Sequence, residues 1–273
     1  MDKILGIDYC FHTHTYRCGH ALGEDEEYVI NLINNGYKAM GFSDHGMFRE
    51  LTKEECGRDY SLLPNYVESI NKLKEKYKGV IDIKLGFEFE FDENHLDYYK
   101  ELIDTYKLDY LICGQHYYFD ENGKNKYYFE KIDDYKAIRH YVDDVKKAIR
   151  SGLFAYIAHP DLFMNNITKI TKEIEDMCLE IILEAKKYDT PLEINFGGTR
   201  FGNIVAKKRN CLEYPSKFFF ELAQKHGCKL VFGLDMHAPS DARHELTIEK
   251  VKEIRSSWNI DIVNDFRIGE KDA

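Results

Sequence analysis

His12-Thr13-His14 places two imidazoles one residue apart. On an extended strand side chains alternate between faces, so both rings would turn to the same side and could hold one ion. Five more histidines, His20, His45, His116, His159 and His237, sit at or just beyond the ends of short apolar runs, as do the carboxylates Asp44, Glu88 and Asp235. Imidazole and carboxylate are the donors of metal sites that activate water. The pattern points to a hydrolase that gathers one polynuclear site from nearly every strand it makes.

Each residue also has a plainer reading. A bare H-x-H can be a pair of exposed or hydrogen-bonded histidines. Asp44-His45 could supply one ligand and one residue that orients it, or Asp44 could cap a helix. Glu88 lies in the apolar run Gly86-Phe87-Glu88-Phe89, where an unpaired ionised carboxylate is costly. Two cations sharing that carboxylate would offset the cost, and so would a salt bridge. His95, His140 and His226 fall in predicted helices and read as surface residues. His244, shortly after His237, stays a candidate for proton transfer.

The elements that must position these groups alternate. Predicted strands are Ile7 to Phe11, Lys38 to Phe42, Ile81 to Phe87, Tyr110 to Cys113, Phe154 to Ala158, Leu192 to Asn195 and Leu230 to Leu234. Helices are predicted between them: from near Gly23 to a stop at Gly36, from Pro64 to Gly79, from His95 to Tyr106, up to Gly152, over Lys172 to Lys187 and over Ser216 to His226. A further helix, Thr247 to Trp258, and an extended Ile262 to Phe266 complete the chain. Strands alternating with helices predict an α/β fold with a parallel sheet. A closed barrel brings the strand ends to one mouth, whereas an open sheet spreads them along a line. Two stretches break the rhythm: an aromatic loop from Tyr117 to Lys131, and a basic one from Phe196 to Tyr214 that carries Arg200, Lys207, Lys208 and Arg209.

At 273 residues and 44% hydrophobic content, the chain fits one domain spanning 1–273. The net charge of -10 argues against a surface that neutralises a nucleic-acid backbone, while leaving room for a local pocket that takes one phosphate. Seven cysteines without a C-x-x-C pair, no stretch resembling a signal peptide and no bilayer-length apolar run fit a soluble, cytoplasmic protein with no membrane partner.

Taken in order, the motifs resemble the polymerase and histidinol phosphatase (PHP) superfamily, in its histidinol-phosphate phosphatase branch. They are His12-Thr13-His14 with Cys18-Gly19-His20-Ala21, Ser43-Asp44-His45, Gly86-Phe87-Glu88, Gly114-Gln115-His116, Ala158-His159-Pro160-Asp161, Glu193-Ile194-Asn195 with Arg200, Glu213-Tyr214-Pro215-Ser216, and Gly233-Leu234-Asp235-Met236-His237. The resemblance implies a distorted seven-stranded (β/α) TIM-like barrel and three divalent metal ions, with zinc, manganese and iron all compatible with the donors. One ion would take His12, His14, Glu88 and Asp235, a second His20, His45 and His237, and a third Glu88, His116 and His159. Arg200 would hold phosphate together with Arg17, Tyr117 would form part of the substrate wall, and Asp44 or His244 would carry a proton. Gln115, Leu234 and Met236 depart from the family pattern.

The function so implied is hydrolysis of a small phosphate monoester, L-histidinol phosphate, in histidine biosynthesis. Metal ions would generate hydroxide near neutral pH and screen the phosphate oxygens. The rivals are a phosphoesterase of the same superfamily acting on nucleotides or phosphotyrosine, a metal-dependent amidohydrolase, and a nonenzymatic scaffold. No nucleic-acid partner is expected, and the oligomeric state is not legible.

Overall fold

The computed structural model describes residues 6–53, 58–200 and 208–269. Four parallel strands lie side by side in chain order: β1 (Tyr9–Cys10), β2 (Ala39–His45), β3 (Asp82–Phe89) and β4 (Tyr110–Cys113). β2 is buried from Ala39 to Asp44 without alternation, as expected of a parallel strand covered on both faces. After β4 the chain makes an antiparallel hairpin of β5 (Tyr117–Phe119) and β6 (Asn125–Tyr127). The aromatic stretch expected to be a loop is thus partly strand, because alternate aromatics on the two arms pair across it: the Tyr117 and Tyr127 rings are 5.3 Å apart.

Two more parallel strands, β7 (Leu192–Asn195) and β8 (Leu230–Gly233), form the other side. Isolated bridges link Cys113 to Ile157, Ile157 to Leu192, and Thr13 to Met236. The result is an α/β fold built on a curled parallel sheet. The predicted strand Phe154 to Ala158 is reduced to the Ile157 bridge. Its amides alternate between neighbours, with Ala155 and Ala158 donating to Leu111 and Cys113 and Ile157 donating to Pro191, so neither side develops a full ladder. In the extended tail, Val263 donates to the Leu230 carbonyl at 2.9 Å, but no strand forms there.

Helices cover the sheet, and their ends follow local chemistry. In Tyr135–Ser151 the Asp134 side chain accepts from the Ala137 amide, and Gly152 closes the helix in the left-handed region at φ 65°. Its stripe of Ile138, Tyr141, Val142, Val145 and Ile149 is buried, each aliphatic side chain contributing about 2 kcal/mol. Helix Lys172–Lys187, capped by Thr171, has acids in its first turn and Lys186 and Lys187 in its last, as the helix dipole favours. No helix among the described residues is long and apolar enough to cross a membrane.

This arrangement sends strand ends to one place. Pairing of β2 with β3 sets His45 opposite Glu88. The His12 to His14 segment is stitched between two neighbours: Ser43 donates to the Thr13 carbonyl, His14 donates to the Met236 carbonyl, and Met236 donates back to His12. Residues at opposite ends of the chain thereby become adjacent.

Candidate functional site

Glu88 lies at the centre. Its Oε1 is 2.8 Å from His159 Nε2 and 3.4 Å from His12 Nε2, while Oε2 is 2.9 Å from His45 Nδ1 and 3.6 Å from His14 Nε2. Asp235 Oδ1 adds contacts of 3.0 Å to His14 Nε2 and 3.5 Å to His12 Nε2. The period-two expectation for His12 and His14 holds, since their Nε2 atoms are 3.2 Å apart. His20 and His237 meet at the outer edge, Nε2 to Nε2, at 2.9 Å. The His116 ring lies 4.7 Å from that of His159 and 5.6 Å from that of His45. All nine residues expected to hold metal therefore gather at one mouth.

Close packing makes room for the carboxylates. A Cβ at Gly114 would sit 1.8 Å from Glu88 Oε1, and one at Gly233 would sit 1.8 Å from Glu193 Oε1. Two members of the cluster have unfavourable backbone angles, His159 at φ 33° and Asp235 at φ 50°, the kind of local strain that concentrates at functional sites.

Two carboxylates behind the rings, Glu193 and Glu90, were given no role from sequence. His12 Nδ1 donates to Glu193 Oε1 at 2.8 Å, and Glu193 Oε2 also accepts from the His159 amide. His116 Nδ1 faces Glu90 Oε1 at 3.3 Å, and Arg58 grips the same Glu90 through both terminal nitrogens at 2.9 and 3.1 Å. The signal was there: Glu90 is two residues beyond Glu88 on an extended segment, and Glu193 alternates with buried Leu192 and Ile194. Gln115, a departure from the family pattern, is buried and fully engaged. It accepts from the Phe91 amide and donates to the carbonyls of Phe91 and Tyr117 and to Tyr128, anchoring the hairpin.

The mouth opens into two adjoining cavities of about 400 and 420 Å³ that share His20, His116, Tyr127, His159, Asp235 and His237. Tyr117 and Glu88 line one, and Arg200, Tyr214 and Leu162 line the other. Arg200 is mostly committed: Nη2 donates to the Leu234 and Asp235 carbonyls, Nη1 to the Phe196 carbonyl, and Nε lies 3.3 Å from Asp241. Three of its five N–H groups bond backbone carbonyls, while one on Nη1 and the one on Nε, which faces Asp241, make no hydrogen bond.

Three other candidates lie off the mouth. Arg17 is buried, paired with Asp25 at 2.9 Å and bonded to Asn65, so its guanidinium is spent on holding its own loop to helix Asp25–Asn34. Asp44 stands behind His14, with Oδ1 3.6 Å from Nδ1, and accepts from Thr15 and the His45 amide; it is fully buried and lines neither cavity. It stands behind the His14 ring without a hydrogen bond to it. His244 caps helix Glu245–Ser257 and also lines neither cavity. Lys207 lies outside the described residues.

Burial alone would push the Glu88 carboxyl up, but the imidazoles of His12, His116 and His45 outweigh it and hold the group well below the usual range. Asp235 is held down in the same way by His12, His14 and His237. Burial opposes charge on His12, yet Glu193, Asp235 and Glu88 raise it well above the ordinary value, and His14 rises to about 9 through Asp235 and Asp44. His45 and His237 stay neutral, lowered by burial and by the neighbouring His14, His237 to about 3.

These groups suit cations better than one another. His45 Nδ1 and Glu88 Oε2, though 2.9 Å apart, make no hydrogen bond, and buried His14 Nδ1 and His159 Nδ1 lack partners as well. Donors that are close yet misaligned for mutual bonding fit atoms directed at shared points between them. Triads whose ligand atoms lie within 4.8 Å of one another include His12, His14 and Asp235; His12, Glu88 and His159; and His14, His45 and His237.

A family model described as PHP domain matches residues 11–196. A Deinococcus radiodurans protein named "Probable histidinol-phosphatase" is 27% identical over 252 residues, covering 89% of this chain and 91% of its own. A Lactococcus lactis protein named histidinol-phosphatase is 27% identical over 199 residues, or 69% of this chain and 71% of its own. The crystal structure of histidinol phosphate phosphatase from Lactococcus lactis, complexed with zinc, L-histidinol and phosphate, superposes with a TM-score of 0.69 at 20% identity over 94% of this chain and 95% of that one. At that identity the likeness is one of fold.

Proposed function

This chain belongs to the PHP domain family, and on that premise we propose that it is a metal-dependent phosphatase that hydrolyses L-histidinol phosphate to L-histidinol and phosphate. The observation that carries the reading is Glu88, one buried carboxylate set among the imidazoles of His12, His14, His45 and His159. The names of the Deinococcus and Lactococcus relatives support the substrate. The whole chain, 1–273, is read as a single domain. The bridges at Ile157 and between Thr13 and Met236 support a distorted seven-stranded barrel in which the segment around Ile157 serves as a strand.

His12, His14, Glu88 and Asp235 would hold one divalent cation, His20, His45 and His237 a second, and Glu88, His116 and His159 a third. Cations held there would supply positive charge to the phosphate oxygens and lower the pKa of water toward neutrality. The protein's own groups do the rest. Glu193 and Glu90 fix ring orientation and make the imidazoles they back better donors, and Asp44 adds negative charge behind His14. Arg200 holds the turn that presents Asp235 and offers the second N–H of Nη1 to a phosphate oxygen. Tyr117 and Tyr127 form an aromatic wall against which an imidazole would pack.

The test is turnover of L-histidinol phosphate, a nucleoside monophosphate and phosphotyrosine by metal-loaded and chelated protein. Preference for histidinol phosphate, lost on chelation, is expected. Equal rates on all three would remove the substrate, and no turnover by metal-replete protein would remove the phosphatase.

A further inference from the structure

The imidazole and carboxylate set leaves the choice of metal open, and a sulfur beside it does not. Cys18 ends the short turn Tyr16–Cys18, and Gly19 follows in the left-handed region at φ 84°. That turn folds the chain back so that His20 Nδ1 rests 3.1 Å from the Cys18 carbonyl, leaving Nε2 to meet His237. Cys18 Sγ and one ring nitrogen each of His20 and His237 then lie within 4.8 Å of one another. A second triad, His14, Cys18 and Asp44, meets the same limit, and within it the fully buried His14 Nδ1 has no hydrogen-bond partner. Cys18 also lines the cavity that holds Glu88 and His45.

We propose that the Cys18 thiolate is a further ligand of the cation held by His20, His45 and His237, making the outer position a soft, sulfur-containing one that prefers zinc to manganese. The inference rests on the metal-cluster reading above. Its surroundings distinguish this sulfur from a cysteine buried for packing. It is 5% exposed yet sits beside two imidazoles whose Nε2 atoms face each other, an arrangement that a shared cation would stabilise. Uptake of the cation would release the thiol proton to solvent and form one metal–sulfur bond. Thiolate is the softest donor available here and selects zinc, whereas manganese favours oxygen.

Cobalt(II) exchange tests the assignment, because sulfur bound to cobalt gives a near-ultraviolet charge-transfer band that nitrogen and oxygen ligands do not. The fully loaded protein, with cobalt content measured on the same sample, should show the band. Cys18→Ser and Cys18→Ala should lose it, Cys113→Ser should keep it, and in competition Cys18→Ser should shift the zinc-to-manganese ratio by roughly tenfold toward manganese, at least the scale of an outer-partner change. Full cobalt loading without the band, or a band that survives Cys18→Ser, would overturn the proposal while leaving the cluster intact. No cobalt uptake at all would overturn the cluster and this ligand together. Should the variants fail to fold, the wild-type spectrum decides alone.

Discussion

The inner and outer imidazoles of the mouth are held by different chemistry. His12 donates to the buried carboxylate of Glu193, and His14 has Asp44 behind it. At the outer edge, His20 Nδ1 rests on the Cys18 carbonyl at 3.1 Å and His237 Nδ1 on the Asp235 carbonyl at 3.1 Å. A carboxylate behind an imidazole adds negative charge and strengthens it as a donor, whereas a neutral carbonyl mainly fixes its orientation. The inner residues His12 and His14 are also locked by hydrogen bonds to neighbouring segments on both sides, while His237 lies two residues beyond Asp235, whose backbone is in the left-handed region at φ 50°. The inner position should therefore bind its cation more tightly, and the outer one should exchange more readily.

The largest effect should come from Glu88, which serves the inner position and the one held by His116 and His159. Glu88→Gln removes the charge shared among His12, His14, His45 and His159. Metal analysis should show these two positions emptied together, with turnover down by more than about 100-fold, beyond what loss of an outer partner alone usually costs. A variant that keeps its full metal content and its rate would mean the two positions are independent.

Two glycines compare how far each region can yield. A Cβ at Gly114 would lie 1.8 Å from Glu88 Oε1, in a carboxylate that is 1% exposed and cannot move aside. A Cβ at Gly197 would lie 2.5 Å from Asp235 Oδ2, in a side chain that is 20% exposed. Gly114→Ala should cost about 1–3 kcal/mol in chemical denaturation and lower metal content, with Gly197→Ala costing less. Equal losses would show the outer edge to be as rigid as the interior.

Glu193→Gln keeps the shape behind His12 and removes the charge. Metal affinity at the inner position should fall by about 10–100-fold, with the outer position unchanged. Competitive chelation distinguishes these outcomes: the wild type should lose metal in two phases, outer first, and the variant in phases that approach each other.

Much of this site was legible because parallel strands deliver their C-terminal ends to one side, so apolar runs ending in His45, Glu88, His159 and Asp235 were enough to place those residues together. The partners behind the rings were harder to see. Glu193 and Glu90 sit among apolar neighbours, as Glu88 does, and only the fold reveals that one carboxylate lies between rings and the others behind them. Arg17 was misjudged because its partner, Asp25, opens the following helix, and a basic residue in a ligand-bearing loop looks the same whether it faces a phosphate or that helix. Strand lengths were legible where two neighbours share a full ladder, as in β4 and β7, and not at Ile157, where the hydrogen bonds are divided between two sides.

Arg200 gives the smallest and most discriminating change. If its main work is to anchor the outer turn, Arg200→Ala frees the Leu234 and Asp235 carbonyls and should loosen outer metal as well as raise KM. If it serves only phosphate, KM rises and metal content stays. With three backbone carbonyls occupying its terminal donors and Asp241 beside Nε, the first outcome is expected: a modest rise in KM, about tenfold, the scale of one charge-assisted hydrogen bond, together with faster outer-metal loss under chelator. Arg200→Lys sharpens the result. A single ammonium cannot span the Leu234, Asp235 and Phe196 carbonyls at once, so it should restore phosphate affinity better than metal retention. Recovery of both would show that charge alone, without the anchored turn, holds the outer edge in place.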